Sequence, residues 1–383
     1  MYLFRTTKRI LFGAGSIEKI GAEAKALKAA RVLIVTDPGI VKAGLIEPVQ
    51  QSLKDAGLTW EVFDQVEPDP RIEVVYESLK AAKGEKPDLI IGLGGGSSLD
   101  IAKVTSIMFT NPGEIDPFFG VDLVPNPGLP LILVPTTAGT GSEVTAVAIL
   151  SDTKENLKKG IVSPYLFPEV AILDPKLTFG LPPNVTALTG MDALIHAIES
   201  YTSVNANSLS DHLALRAVEL IYDNILTAYA RGEDLEARSA MLEGSMLAGM
   251  AFANAGVTAV HAFAYPLGGE FHHIPHGLAN SVMLIPVLRF NMLGNLRKFA
   301  EIAYTMGLDV EDLPNKQAAE EGLTAIEELM RDMNIPLRLR DLGVPQDALP
   351  RLAEGVLKVT RLLANNPRKI TLEDAKAIYQ LAW

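Results

Sequence analysis

Short β-rich runs and helical stretches take turns through the first half of this chain, and that alternation constrains its fold more than any other feature. Residues 31–36 read as a buried strand, followed by a helical segment through about residue 56. Residues 59–63 read as strand, 72–83 as helix, 88–92 as strand, 98–109 as helix and 131–134 as strand. Strands separated by helices of this length form βαβ units, and such units build a mostly parallel sheet. Residues 9–12 add an edge strand or pair with a second subunit, and the proline- and glycine-rich residues 111–130 read as an ordered excursion. Past the breaker Leu181-Pro182-Pro183 the texture changes. From about Val185 to Trp383, Ala, Leu, Glu and Met recur at helical spacing with few β runs. A chain of 383 residues exceeds what one hydrophobic core usually serves. The expectation is therefore an α/β domain over residues 1–183 and an all-α domain over residues 184–383.

Composition narrows the function classes. The chain is 48% hydrophobic and 21% charged, which describes a globular protein rather than a disordered one. Its 46 acidic side chains against 34 basic ones give a formal charge of -12, with no dense Lys/Arg cluster, so no nucleic-acid partner is expected. Cysteine is absent, which removes disulfides, thiolate zinc ligands and cysteine nucleophiles together. That fits a cytoplasmic protein, and any metal site here must be built from nitrogen and oxygen. The first residues carry no apolar run after their initial charges, and no uninterrupted apolar run is long enough for a bilayer. Neither export nor a membrane partner is expected.

His196 stands four residues after Asp192, so on a helix a carboxylate and an imidazole share one face. Of the six histidines, His261 and His276 come later, the second in the run Pro275-His276-Gly277. One carboxylate and three imidazoles make a plausible divalent-metal site with room for substrate. Each fragment also has a plain reading: an Asp/His surface hydrogen bond, or a satisfied core histidine.

A cofactor signal lies upstream. Residues 89–100 read as strand, glycine turn and helix start, with Gly94-Gly95-Gly96-Ser97 at the turn. Glycines let backbone amides approach a phosphate, and a helix N-terminus favours negative charge. A tight turn without ligand is the rival reading, and the run is not the ordinary G-x-G-x-x-G fingerprint. A second polar run, from Pro135 to Glu143, carries Thr136, Thr137 and Thr140, whose hydroxyls suit a nucleotide lying across sheet edges. Asp37 follows the strand at 31–36. It either accepts bonds from ribose hydroxyls, favouring NAD over NADP, or merely shapes the turn before Pro38-Gly39.

Together these motifs resemble the iron-containing (group III) alcohol dehydrogenase family, almost end to end, from Ile10-Leu11-Phe12-Gly13 to Ala377-Ile378-Tyr379. The shared features include the 94–100 and 135–143 runs, Gly190-Met191-Asp192-Ala193 with His196, Pro275-His276-Gly277, and Asn366-Pro367-Arg368 followed by Thr371. The resemblance implies a dinucleotide-binding α/β domain and a helical domain of dehydroquinate synthase-like architecture, with the active site in the cleft between them. It also implies metal ligation by Asp192, His196, His261 and His276. The pyrophosphate would rest on Gly95, Gly96 and Ser97, with Asp100 supporting the loop; Thr136, Thr137, Thr140 and Lys158 would reach the nucleotide. Asp37 matches the family's NAD-selecting aspartate, and Phe252 would wall the substrate pocket near the nicotinamide. The strand at 9–12 matches a segment that members pair across a dimer, so at least a homodimer is expected.

Two departures stand out. Many members carry a second histidine four residues after the third ligand, where this chain has Tyr265, which puts a proton relay there in doubt. The approach to the last ligand is one residue longer, beside His272 and His273, yet His276 keeps the Pro-His-Gly context and is retained as the ligand. Val147 fills a position that is polar in some diol-processing members, an argument against a strict diol requirement. The expected chemistry is hydride transfer between a primary alcohol or diol and nicotinamide, in either direction, assisted by a divalent cation. The ligand set suits Fe(II) or Zn(II), and the family name favours iron. Same-fold alternatives are a glycerol-type polyol dehydrogenase and a dehydroquinate synthase-like lyase; the latter's phosphate-bearing substrate calls for basic residues that are not clustered near His261 and His276.

Overall fold

The computed structural model describes residues 2–82, 86–153 and 157–383. The chain divides into two compact units, one formed by Arg5–Leu181 and the other by Pro182–Trp383 together with residues 2–4. In the first unit the elements run β1 (Arg9–Phe12), α1 (Ile20–Ala26), β2 (Arg31–Val35), α2 (Pro38–Lys42), α3 (Glu47–Asp55), β3 (Thr59–Phe63), α4 (Ile72–Ala81), β4 (Leu89–Gly94), α5 (Gly96–Met108), β5 (Gly120–Val121), β6 (Leu131–Pro135), β7 (Val147–Asp152), β8 (Leu157–Val162) and β9 (Val170–Leu173).

Six strands form one sheet in the order β1-β9-β6-β4-β2-β3, all pairs parallel. The inner strands are buried on both faces, and their side chains alternate between two cores. Leu33, Val35, Ile90 and Leu133 pack on one side with α4 and α5. Val32, Ile34, Ile91, Leu93, Ile132 and Val134 pack on the other with α1 and α3. The chain moves outward from β2 to β3, then returns to place β4 on the opposite side of β2. The reversal point therefore lies between β2 and β4, at whose C-terminal ends open α/β sheets generally bind ligands.

Strand β9, which lies between β1 and β6 in the main sheet, is missing from the sequence reading, and three further details differ from it. The helical segment expected through residue 56 is two helices, because the chain turns at Gly44 (φ 72°) before α3 restarts with Pro48 in its first turn. The excursion at 111–130 contributes the short strand β5 to a second sheet, β5-β8-β7, in which β7 and β8 are antiparallel. That sheet went unread. Helix α4 ends at Ala81, and Lys83, the expected last residue, lies outside the described residues.

The second unit contains α6 (Pro183–Thr202), α7 (Ser208–Ala230), α8 (Leu235–Ala255), α9 (Ala259–Glu270), α10 (His276–Asn291), α11 (Leu296–Thr305), α12 (Asn315–Asp332), α13 (Leu349–Lys358), α14 (Thr360–Leu363) and α15 (Leu372–Ala382). No strand falls in it among the described residues. From Gly190 to Thr202 every residue of α6 is buried, the signature of a helix surrounded by others. Its Gly190 lets α7 and α8 close in: a Cβ there would lie 2.7 Å from both Ile225 and Met241. The stretch His276–Gly294 is long and apolar enough to cross a bilayer, but 61% of its apolar window is buried inside the protein, which marks a core helix.

Candidate metal centre and nucleotide loop

Helix α6 places Asp192, His196 and Glu199 at positions i, i+4 and i+7, a single stripe on a buried helix. Helix α9 supplies His261 in its first turn, because the chain breaks sharply before it. Gly256 adopts φ 78°, open to glycine at no steric cost, and α8 and α9 meet at 99°. Helix α10 begins at His276, directly after Pro275, and carries Asn280 one turn later.

These side chains converge. Asp192, His261 and His276 each offer a donor atom, and the three atoms lie within 4.8 Å of one another. His196 joins through His261, their Nε2 atoms 3.0 Å apart, and its Nδ1 lies 3.9 Å from Asp192 Oδ2. The Asn280 amide donates to Asp192 Oδ1 at 2.8 Å and lies 3.2 Å from His261 Nε2 and 3.1 Å from His276 Nε2. Its Oδ1 is buried and has no hydrogen-bond partner among the described residues. Behind His261, Glu199 Oε2 sits 2.5 Å from Nδ1, while Glu199 Oε1 accepts from Thr258 Oγ1 and the Val260 amide, each at 2.6 Å. Phe252 stacks on His196 with ring centroids 4.4 Å apart.

Burial alone would discharge the two carboxylates, but their neighbours reverse the outcome. Around Asp192 the imidazoles of His196, His276 and His261 and the Asn280 amide outweigh desolvation, and its pKa falls. Around Glu199, His261 together with the Thr258 and Val260 donors does the same. Burial lowers His261, yet Glu199 and Asp192 outweigh it and its pKa rises. An ionised carboxylate among clustered imidazole nitrogens, with an orphaned amide oxygen beside them, fits a divalent cation by donor chemistry. His273 faces elsewhere: it is exposed and bonds the Leu342 carbonyl at 3.0 Å, and His272 is also exposed. The Tyr265 ring lies 6.2 Å from that of His276.

Glu199 and Asn280 were not singled out from the sequence. Helical spacing held the signal, since Glu199 stands three residues after His196 and Asn280 four after His276. The ending Asn366-Pro367-Arg368 braces the same region. Asn366 exchanges bonds with Asn291 and accepts from the Ala259 amide, and Arg368 donates to the Phe290 carbonyl.

In the α/β unit the two glycine-bearing runs meet at the reversal point of the sheet. Gly94 has φ 145°, and a Cβ on it would come within 3.0 Å of Asp37 Oδ2. A Cβ on Gly95 would touch Thr137 at 3.6 Å, and one on Gly96 would lie 2.7 Å from Thr140 Cγ2. The Thr136 amide bonds the Gly94 carbonyl, and Ser97 is half-buried in the first turn of α5. Asp37 caps α2 by accepting from the Gly39 and Ile40 amides through Oδ1, while Oδ2 accepts from Ser98. It thus shapes the turn and also adjoins the glycine loop.

Asp100 braces the neighbouring segment after β6: Oδ1 accepts from Ser142 at 2.6 Å and Oδ2 from the Ile149 amide at 2.8 Å. Lys103, fully buried and missed from sequence, donates to Ser142 Oγ, Thr145 Oγ1 and the Val147 carbonyl. Burial lowers its pKa to about 8 and lifts that of neighbouring Glu143 to about 7. Lys158 is held by Asp69, Nζ to Oδ1 at 2.6 Å.

A parallel α/β unit with a glycine loop at its reversal point, and a helical unit with a buried Asp/His centre, define a metal-dependent nicotinamide oxidoreductase in outline. The model of iron-containing alcohol dehydrogenases matches residues 7–175, and that of the C-terminal part of the Fe-containing alcohol dehydrogenase family matches residues 186–383. The chain belongs to the iron-containing alcohol dehydrogenase family. It is 40% identical to the sulfoacetaldehyde reductase of Bilophila wadsworthia over 99% of this chain and 98% of the relative. The crystal structure of a 1,3-propanediol oxidoreductase superimposes with a TM-score of 0.97 at 40% identity, both chains covered in full. That of the sulfoacetaldehyde reductase from Bifidobacterium kashiwanohense in complex with NAD+ does so at 0.90 and 30%, covering 100% of this chain and 98% of the other. These relatives are dehydrogenases and reductases, and the lyase and glycerol-type readings are not favoured. The chain is an oxidoreductase of the alcohol dehydrogenase type.

Proposed function

We propose that the chain interconverts a primary alcohol or diol and its aldehyde with NAD as hydride acceptor and donor, using a divalent cation held by Asp192, His196, His261 and His276. The convergence of Asp192, His261 and His276 within 4.8 Å carries this reading. When bound there, the cation supplies Lewis acidity toward the substrate oxygen. The ionised Asp192 contributes one negative charge and the neutral imidazoles none, so a divalent ion held there would keep a net positive charge. Phe252, stacked on His196, gives an apolar wall suited to the carbon chain of a small alcohol. Iron is the proposed metal, with zinc the alternative that the same donors accept.

In the α/β unit, proposed here as the dinucleotide-binding domain of residues 1–183 beside a metal-binding domain of residues 184–383, the pyrophosphate is assigned to Gly95, Gly96 and Ser97. The helix start of α5 supplies amides and a favourable dipole there. Asp100 supports the loop, and Thr136, Thr137, Thr140 and Lys158 line the nucleotide. Asp37 retains unused acceptor capacity for ribose hydroxyls and would repel a 2'-phosphate, so NAD is preferred to NADP. The edge position of β1, with β9 as its neighbour in the sheet, supports a homodimer, and the cysteine-free composition supports a cytoplasmic setting.

The test is NADH formation from ethanol, 1-butanol and 1,2- and 1,3-propanediol by protein stripped of metal, then reloaded with Fe(II) anaerobically or with Zn(II). Activity returning with metal and at least about tenfold better with NAD than NADP is expected, a difference of about 1.4 kcal/mol. The same preparation should sediment above 41 kDa. No oxidation with either metal, despite bound metal and NAD, would sink the reading.

A further inference from the structure

We infer that Glu199 is a positioning residue that fixes the tautomer of His261 and thereby creates one of the metal-facing nitrogens. The inference rests on the proposed metal site and adds to it a residue that is not a ligand.

Glu199 is fully buried on α6, and each of its oxygens has a defined task. Oε1 receives two donors, the Thr258 hydroxyl and the Val260 amide, both at the start of α9. The amide can only donate, and against an acceptor-only carboxylate oxygen the hydroxyl, 2.6 Å away, must donate as well. Oε2 faces a single partner, His261 Nδ1 at 2.5 Å. A carboxylate is an acceptor only, so the proton between them belongs to Nδ1. Neutral imidazole carries one N–H, and placing it on Nδ1 leaves the lone pair on Nε2. Nε2 is the atom that faces Asp192, His196 and Asn280. Carboxylate, imidazole and cation in this sequence form the outer partnership that typically commands 10–100-fold in metal affinity. Because α9 starts at the break after Gly256, the same carboxylate ties its first turn to α6 and fixes the direction of the ring as well as its proton.

The unequal loading of the two oxygens yields a sharp test. In Glu199→Gln the amide oxygen must go where two donors wait, at Thr258 and Val260, because an NH2 there would face an N–H. The new NH2 then points at His261 Nδ1 and demands a lone pair from it, which moves the ring proton to Nε2. A near-isosteric change thus converts a metal-facing acceptor into a donor.

The six histidines make 15N-histidine labelling tractable, with His261→Gln to assign the resonance. Long-range 1H–15N spectra of the zinc-loaded full chain and of metal-free protein at pH 8 report which ring nitrogen carries hydrogen. Zinc affinity is read by competition with a chelator. Wild type is expected to show His261 protonated at Nδ1 in both states. Glu199→Gln is expected to show the Nε2–H tautomer without metal and to bind zinc about 10–100-fold more weakly. A wild-type His261 protonated at Nε2 without metal would overturn the inference even if the variant does not fold. So would a folded variant with Nδ1–H and wild-type zinc affinity. A wild type that binds neither Zn(II) nor Fe(II) would overturn the metal reading instead, and the metal-free tautomers would then decide the hold of Glu199 on His261 separately.

Discussion

The two candidate sites are built by opposite means. The nucleotide loop is made from missing side chains: Gly95 and Gly96 present bare backbone toward Thr137 and Thr140, and Asp100 and Lys103 brace the neighbouring loop from within. The metal centre is made from side chains alone, brought by three helices onto one buried point and backed by Glu199 and Asn280. A phosphate needs amides and room, whereas a cation needs donors of fixed direction and protonation state. The first site is therefore sensitive to added atoms and the second to changed ones.

The largest effect should come from changing one donor. Asp192→Asn keeps the shape but removes the negative charge among three imidazoles, and metal affinity is expected to fall by more than about 100-fold, beyond what outer partners command. Elemental analysis after dialysis reads it, and NAD affinity by fluorescence titration should stay within about twofold. Equal loss of both would break the comparison.

The converse change should be smaller. Gly96→Ala drives a Cβ to 2.7 Å from Thr140 Cγ2 and 2.9 Å from its Oγ1. Thr140 is stiff at χ1 and its Oγ1 accepts from the Ser142 amide, so the loop must shift. An increase of about tenfold in the Kd for NAD is expected, with metal content unchanged. Unchanged NAD affinity would remove Gly96 from the phosphate cradle.

The smallest effect concerns stability alone. Burial lifts Glu143 to about 7 from an ordinary 4.5, so the folded protein holds that proton over a range where the unfolded chain has released it. Its contribution is fully present below about pH 4.5 and is lost as pH rises through 7. Relative to wild type, Glu143→Gln should gain on the order of 1 kcal/mol between pH 5 and 8, read from urea midpoints. A constant gap would show that Glu143 titrates normally.

Much of this could be read in the chain because period and composition are local. The alternation at 31–134 gave the parallel sheet, and the apolar runs of β2, β4 and β6 are continuous because both faces are covered. The antiparallel sheet was missed because Gly120 and Val121 are too short a run to show a period, and β8 carries two lysines. Glu199 and Lys103 were missed for a different reason. A charged residue in a helix reads as solvent-facing until its neighbours are known, and both prove fully buried with their hydrogen-bond partners supplied by other elements.

What the sequence determined by itself is the kind of parts: βαβ units, a glycine turn before a helix, an Asp/His pair one helical turn apart, and the absence of any thiolate ligand. Only the tertiary structure decided which parts meet. It brought Asp37 to the Gly94 loop across the reversal point of the sheet, sent Lys158 to Asp69, left His273 at the surface and turned His276 inward. The physical reason is range. Propensity and periodicity act within a turn or a strand, while the direction and proton of a ring such as His261 are set by a carboxylate 62 residues away.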